Sequence, residues 1–269
     1  MRQQSNAARF FASVAMTAIF AAGLGGCQTI SDVTGSISPK TSASADPDPR
    51  QAVEVTGDRY RADPKNAEAA LAYGQALRAT GQRSQAAAVL EQATIAHPGD
   101  KALLAAFGRA LADNGNFQQA FDVLGRAHSP DNPDWRILSV QGAALDQLGR
   151  HDEARRYYAS ALKIAPDEPS VLSNLGLSYV LSKNLPKAEE VLRQAYANGK
   201  ADARVRQNLA LAIGLQGRFA EAEQIVRADL PADEATANVV YLKQMLNRKD
   251  DPRTGSAGKM PVASLNRPE

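Results

Sequence analysis

Cysteine occurs once in this chain, at Cys27, and tryptophan once, at Trp135. A single thiol closes no internal disulfide, and without a second it builds neither a Cys-x-x-Cys pair nor a thiolate zinc set. Histidine is almost as scarce. His97, His128 and His151 are the whole complement, and no His-Glu-x-x-His spacing brings metal ligands together. A Gly-x-Ser-x-Gly elbow, a Walker phosphate loop and a dinucleotide-binding glycine pattern are all missing. The reading that follows is non-enzymatic, with no catalytic residue, cofactor or metal. The three histidines are expected on the solvated surface and Trp135 as a packing residue. Charges such as Asp152-Glu153 with Arg155-Arg156 are read as an exposed helix face.

Net charge is also nearly absent. The formal +2 drops to zero if residues 1–26, which hold Arg2, Arg9 and no acid, are removed. A mature chain of that balance has no net basic field for nucleic acid. Removal is expected because Phe10 to Leu24 reads FFASVAMTAIFAAGL, about fifteen apolar or small residues behind a basic start. A bilayer span needs roughly twenty, so this is the pattern of a cleaved secretory signal. Leu24-Gly25-Gly26-Cys27 resembles the bacterial lipobox, which implies that the Cys27 sulfur carries lipid after cleavage at residue 26. The simpler alternative is an ordinary signal with a chance cysteine near its end. With several acyl chains, each buried CH₂ contributing about 0.8 kcal/mol, the anchor would be lasting. Gln28, standing where inner-membrane lipoproteins often carry Asp, points to an outer-membrane anchor facing the periplasm. Residues 27–50, rich in Ser, Thr, Pro and Asp, are expected as a disordered tether, and residues 248–269 as a disordered tail.

Between these lies a repeat. Gly74, Gly108, Gly142 and Gly176 recur every 34 residues, with Ala210 next in line. Ala86, Ala120, Ala154, Ala188 and Ala222 keep the same interval, as do Ala93, Ala127, Ala161 and Ala195. A further row, Gly81, Gly115, Gly149 and Gly217, is interrupted by Lys183. Pro64, Pro98 and Pro166 mark unit ends, with Asn132 and Lys200 in the intervening places. A fixed period of this size signals a stacked array whose units cannot bury their apolar faces alone.

The rows carry a steric argument. Glycine inside a helix costs about 1 kcal/mol against alanine, so its recurrence implies close helix packing. The first row is expected where the second helix crosses, with the alanine row as the facing surface. Leu90, Leu124, Tyr158 and Leu192 are expected to fill the space between units. The second glycine row should end each first helix in a left-handed cap, and the prolines should stop each second helix.

Leu138, Gly142, Leu145, Gly149, Ala154, Tyr158, Ala161 and Pro166 occupy signature places of the tetratricopeptide repeat, which the chain resembles. That resemblance implies an all-α fold: a right-handed α-α superhelix, or solenoid, of about five repeats with capping helices at both ends. The domain would span residues 51–247, with a capping helix at 51–63 and repeats at 67–100, 101–134, 135–168, 169–202 and 203–236. A closing helix is expected at 235–247, with Val239, Leu242 and Leu246 on one face. Lys183, Lys200 and Asp229 depart from the pattern and leave the geometry of the fifth repeat open.

In this family the first helices line a concave groove that takes protein segments. The places that face it hold Arg78, Arg109, Arg136, Asn174, Arg204 and Asn208, the expected partner-binding residues, together with Gln75, Asp113, Ser139, Asp146 and Gln207. Asn174 and Asn208 either line the groove passively or bond a peptide backbone, whose amide they match in donors and acceptors. Leu177, Leu211 and Leu215 are expected to floor its C-terminal end. The tether, the repeat number and the ending resemble lipoproteins of the tight-adherence (Flp) pilus assembly system. This implies protein partners such as a secretin or other pilus components, a membrane contact through Cys27, and neither nucleic acid nor a small-molecule substrate. A type IV pilus pilotin, a scaffold for peptidoglycan hydrolases and an envelope enzyme with an unseen site are the alternatives.

Overall fold

The computed structural model describes residues 48–249, so the expected signal peptide, Cys27, most of the tether and the tail beyond Lys249 lie outside the described residues. Within them are twelve helices and no strand. They are α1 (Pro49–Ala62), α2 (Ala67–Ala79), α3 (Arg83–Ala96), α4 (Lys101–Asp113), α5 (Phe117–Ala127) and α6 (Trp135–Gln147). There follow α7 (His151–Ile164), α8 (Pro169–Leu181), α9 (Leu185–Ala197), α10 (Ala203–Gly214), α11 (Phe219–Val226) and α12 (Ala232–Lys249). The first and last are longer than the sequence suggests. Asp48 caps α1 by accepting from the Arg50 amide, which takes the last residues assigned to the tether, and α12 continues past residue 247.

Helix starts follow a row that the glycines and alanines overshadow. Asn66, Asp100, Asp134, Glu168 and Asp202, each 34 residues apart, cap α2, α4, α6, α8 and α10 with a side-chain oxygen on a first-turn amide. Such caps satisfy N–H groups that have no partner inside the helix. The same helices end alike. Gly81, Gly115, Gly149 and Gly217 take positive φ, and the next residue's amide reaches back, as Gln82 does to the Leu77 carbonyl at 2.8 Å. Lys183 adopts φ 62° in the same place, so the turn survives a residue that strains it.

The first glycine row meets a different partner from the one expected. A Cβ on Gly74 would stand 2.6 Å from Leu90 Cγ, one on Gly108 2.5 Å from Leu124 Cγ, and one on Gly142 2.6 Å from Tyr158 Cε1. The large residue of the same unit's second helix thus lies down on the glycine's bare backbone, and Leu192 does the same at Gly176. The expectation that Leu90, Leu124, Tyr158 and Leu192 fill only the gaps between units is corrected here. Each covers its own unit's glycine and is at most 1% exposed. In the fifth unit Ala210 replaces the glycine and Val226 replaces the large residue, a gain of one methyl matched by a loss opposite. Close packing penalises added volume, so the two changes belong together.

The array curves because its helices are unequally spaced. The backbones of α2 and α4, α4 and α6, α6 and α8, and α8 and α10 approach closely, whereas those of α3, α5, α7, α9 and α11 stand apart from one another and meet through long side chains, as Phe121 meets Tyr157 and Arg193 meets Glu221. The first helices therefore form the inner, concave layer. The fifth unit stays on schedule through α11, which stops early at Val226. Asp229 then accepts from Arg206 Nε at 2.6 Å instead of continuing a helix. α12 closes the stack: a Cβ on Gly214 would stand 2.5 Å from Leu242 Cδ2. Val239, Leu242 and Leu246 are half-buried, while Val240 and Tyr241 face solvent.

Candidate protein-binding groove

α2, α4, α6, α8 and α10 supply the concave surface, and the six residues expected there lie on these helices. Their side chains are not equivalent. Arg78, on α2, is half-buried and donates from Nε to Asp113 Oδ2 of α4 at 2.6 Å, so its charge is already answered. Arg109, on α4, is half-buried and has no ion pair among the described residues. Burial pushes its guanidinium below the ordinary arginine range. Arg78 and Arg136 add to that lowering, and Asp134 opposes it. Arg136 is exposed, with its guanidinium 4.5 Å from the centre of the Trp135 ring. Arg204 is exposed, and among the described residues it has no ion pair.

Asn174 donates from Nδ2 to Ser139 Oγ at 3.0 Å, and Asn208 repeats this toward Ser173 at 2.9 Å. Both bonds run from one first helix to the one before it. Each amide keeps its oxygen and one N–H without a partner among the described residues, so one of its two donors ties units together and the rest remains for a ligand. The asparagines are therefore structural ties as well as groove residues. Leu177, Leu211 and Leu215 are half-buried beside them.

Two residues assigned to the groove are inside the molecule instead. Ser139 is 6% exposed and Asp146 7%. Asp146 accepts from the Tyr158 hydroxyl at 2.9 Å, from Ser178 Oγ at 2.8 Å and from His151 Nδ1 at 2.8 Å. A buried carboxylate holds its place only when its lone pairs are met this fully. Burial, and then the Asp146 charge, raises the Tyr158 phenol well above its ordinary range.

The histidines also depart from expectation, since all three are half-buried and bonded. His97 donates from Nε2 to the Lys65 carbonyl at 2.7 Å, and His151 donates to Asp146. His128 donates from Nε2 to Gln141 Oε1 at 3.2 Å, while its Nδ1 is buried without a partner. The described residues contain no cluster of metal-ligating side chains, and no helix among them is long and apolar enough to cross a membrane.

A cavity of about 350 Å³ opens between α2, α4 and the start of α6, walled by Gln75, Lys101, Arg109, His128, Asn132 and Asp134. It exists because α5 ends at Ala127, short of its counterparts α3 and α7, and the chain runs irregularly to Asp134. Pro130 and Pro133 account for this, since a residue before proline is pushed out of the helical region. Sequence reasoning placed Arg109 in the groove and passed over Lys101, His128, Asn132 and Asp134. The Ser-Pro-Asp-Asn-Pro run was the available signal.

Fold and groove together define the class: an α-helical solenoid whose inner helices present polar and cationic side chains. Tetratricopeptide-repeat family models match residues 136–201 and 203–228, and the model for subunit 3 of the anaphase-promoting complex (cyclosome) matches residues 51–127. Residues 136–228 thus carry tetratricopeptide repeats, and the all-helical array has the fold of a tetratricopeptide-repeat solenoid. No curated protein sequence matches it. Among solved structures, PilW, described as a widely conserved type IV pilus biogenesis factor, is 21% identical with a TM-score of 0.61, over 71% of this chain and 90% of PilW. A tetratricopeptide repeat protein from Parabacteroides merdae is 13% identical with a TM-score of 0.62, over 74% of this chain and 77% of that one. A chain of the APC/C hetero-tetramer Cut9–Hcn1 is 18% identical with a TM-score of 0.61. It is matched over 75% of this chain, which spans only 40% of its length. At these identities the likeness is one of fold.

Proposed function

We propose that this protein is a lipid-anchored adaptor of the periplasmic face of the outer membrane, holding an extended segment of a partner protein in its concave groove. The observation that carries the reading is the inner surface itself: among the described residues, Arg109 and Arg204 have no ion pair, and Asn174 and Asn208 each keep one donor and the amide oxygen without a partner. A peptide backbone and its side chains meet those needs. The lipobox-like Leu24 to Cys27 supports the anchor, and Gln28 the outer membrane. The closing DLPADEATANVVYLKQML and the Ser/Thr/Pro-rich tether resemble TadD of the tight-adherence (Flp) pilus system. That likeness makes a pilotin-like role toward the secretin the leading assignment. PilW, which its description ties to type IV pilus biogenesis, favours a type IV pilus role as the second candidate, on fold alone.

Two experiments test this. Photo-crosslinkers at Arg204 and Asn208, followed by purification from envelope fractions, should capture a secretin or another pilus component. Capture of peptidoglycan hydrolases would move the protein to a different assembly. Cys27→Ser should release the protein from membranes into the soluble periplasm and abolish its activity there. Unchanged membrane fractionation would remove the anchor from the account.

A further inference from the structure

The first and last helices cap the array differently. α1 shows solvent mostly charge: Arg50, Glu54, Asp58, Arg59 and Arg61 are exposed, and Val55 is the one large apolar side chain exposed with them. A terminal helix that meets only water needs a polar face of this kind. α12 instead carries Val240, 47% exposed, directly beside Tyr241, 63% exposed. Its inward stripe is Ala235, Val239, Leu242 and Leu246. The stripe on the opposite side holds Ala237, Val240, Tyr241 and Gln244, all exposed, with Asp233 a turn before them and Arg248 a turn after in the helical register. These six positions are spaced by 4, 3, 1, 3 and 4 residues, the same in both directions, and their centre between Val240 and Tyr241 is the midpoint of α12. Charge alone breaks the mirror: Asp233 and Glu234 open the helix, and Arg248 and Lys249 end it.

We propose that the outer face of α12 is a self-association surface, covered by a second copy of this chain that lays its own α12 antiparallel across it. A two-fold axis between Val240 and Tyr241 sets Val240 against the partner's Tyr241 and Ala237 against the partner's Gln244. It also sets Asp233 against the partner's Arg248, so acid meets base at both ends, whereas a parallel pair would oppose like charges. A two-fold contact uses one patch twice, which is what a stripe of symmetric spacing and antisymmetric charge fits. An unrelated partner imposes no such symmetry. Antiparallel packing also brings opposite ends of the two helix dipoles together. Exposed tyrosine at the centre and charge at the rim follow the usual anatomy of a protein interface. A single pair of 18-residue helices is a small interface, so a dissociation constant of about micromolar order is expected. This surface lies on the last helix, apart from the concave layer of α2, α4, α6, α8 and α10, and either can stand without the other.

Two differently tagged copies of the full-length protein, co-expressed and extracted in excess non-ionic detergent, should co-purify. Tyr241→Asp in both copies should cut recovery about tenfold or more, because it buries charge at the axis. Circular dichroism should find that variant as helical as wild type, since Tyr241 faces solvent in the single chain. Asp233→Arg in both copies, or Arg248→Asp in both, should also cut recovery, because each opposes like charges twice. One copy with Asp233→Arg and the other with Arg248→Asp should co-purify as wild type does, because both pairs are then restored. No recovery of wild type overturns the surface. So does a mixed pair that recovers no better than either variant alone, or an association that folded Tyr241→Asp leaves intact. If Tyr241→Asp unfolds, the charge exchange decides. Copies that co-purify only after residues 250–269 are removed would give the face to the chain's own tail and overturn the dimer. In envelopes, a short bis-maleimide should join Tyr241→Cys copies into a product of twice the mass and leave Ile95→Cys, comparably exposed on α3, single. Equal joining of both variants, or a Tyr241→Cys product with some other protein, overturns it as well.

Discussion

The Tyr158 hydroxyl donates to Asp146 across 2.9 Å, and with Ser178 on the other carboxylate oxygen this joins both helices of the third unit to the first helix of the fourth. Asp146→Ala would leave three donors, on Tyr158, Ser178 and His151, without their acceptor. Each buried orphan costs about 1–3 kcal/mol, so a loss of about 3 kcal/mol or more is expected from urea unfolding. Asp146→Asn keeps one acceptor oxygen but turns an NH2 toward the remaining donors, so it should cost less than the Ala variant and still fall below wild type. Equal stability of the Ala variant would show that the triad contributes nothing to the joint between units.

The pairing of Gly108 with Leu124 yields a compensation test. Gly108→Ala drives a methyl into Leu124 and should destabilise by about 1–3 kcal/mol despite alanine's better helix propensity. Leu124→Val alone loses buried volume. The double variant reproduces the Ala210 and Val226 combination found in the fifth unit, and it should be more stable than the sum of the two losses predicts by about 1 kcal/mol. Strict additivity in the thermodynamic cycle would refute the compensation.

Lys183 offers the opposite case. It sits at φ 62°, where four corresponding positions have glycine at positive φ. A left-handed side chain costs about 1–2 kcal/mol, part of which glycine's unfolded-state freedom offsets. Lys183→Gly should therefore stabilise by roughly 0.5–1 kcal/mol in chemical denaturation. A loss of stability would mean that the lysine side chain contributes more than its backbone strain costs.

Acid should act through Glu189. Burial by itself would raise this carboxyl, but hydrogen bonds from Arg218, Arg193 and Gln216 outweigh it and hold the group at about 2. A depressed value means that the contribution is full above the unfolded carboxyl's ordinary 4.5 and is lost as pH falls toward 2. Glu189→Gln should lower stability at neutral pH and flatten the melting-temperature curve between about pH 5 and pH 2. Parallel curves for variant and wild type would remove Glu189 from the acid response.

The helix pairs, their order and their close approach were all legible along the chain, because each is announced locally. Gly81, Gly115, Gly149 and Gly217 mark turns, Pro98 and Pro166 mark ends, and Gly142 returns in step with Gly108. The partner of each glycine was not legible: Leu124 lies 16 residues after Gly108, at a distance set by how two helices cross. The same holds for Asp146, which shares the groove-facing register of Arg78 yet turns inward because Tyr158 and Ser178 await it. Of the groove residues, Arg109 and Arg204 carry uncommitted charge, while Arg78, Asn174 and Asn208 are partly spent on holding units together.

By itself, then, the amino-acid order determined a stack of paired helices, since caps, breakers and small residues act within a turn or two of where they stand. Only the tertiary structure decided which inner-face groups stay unmatched, because hydrogen bonds and ion pairs between units join residues some 30–35 positions apart. The cavity beside Arg109 is of that second kind: it appears where α5 stops short and its neighbours do not.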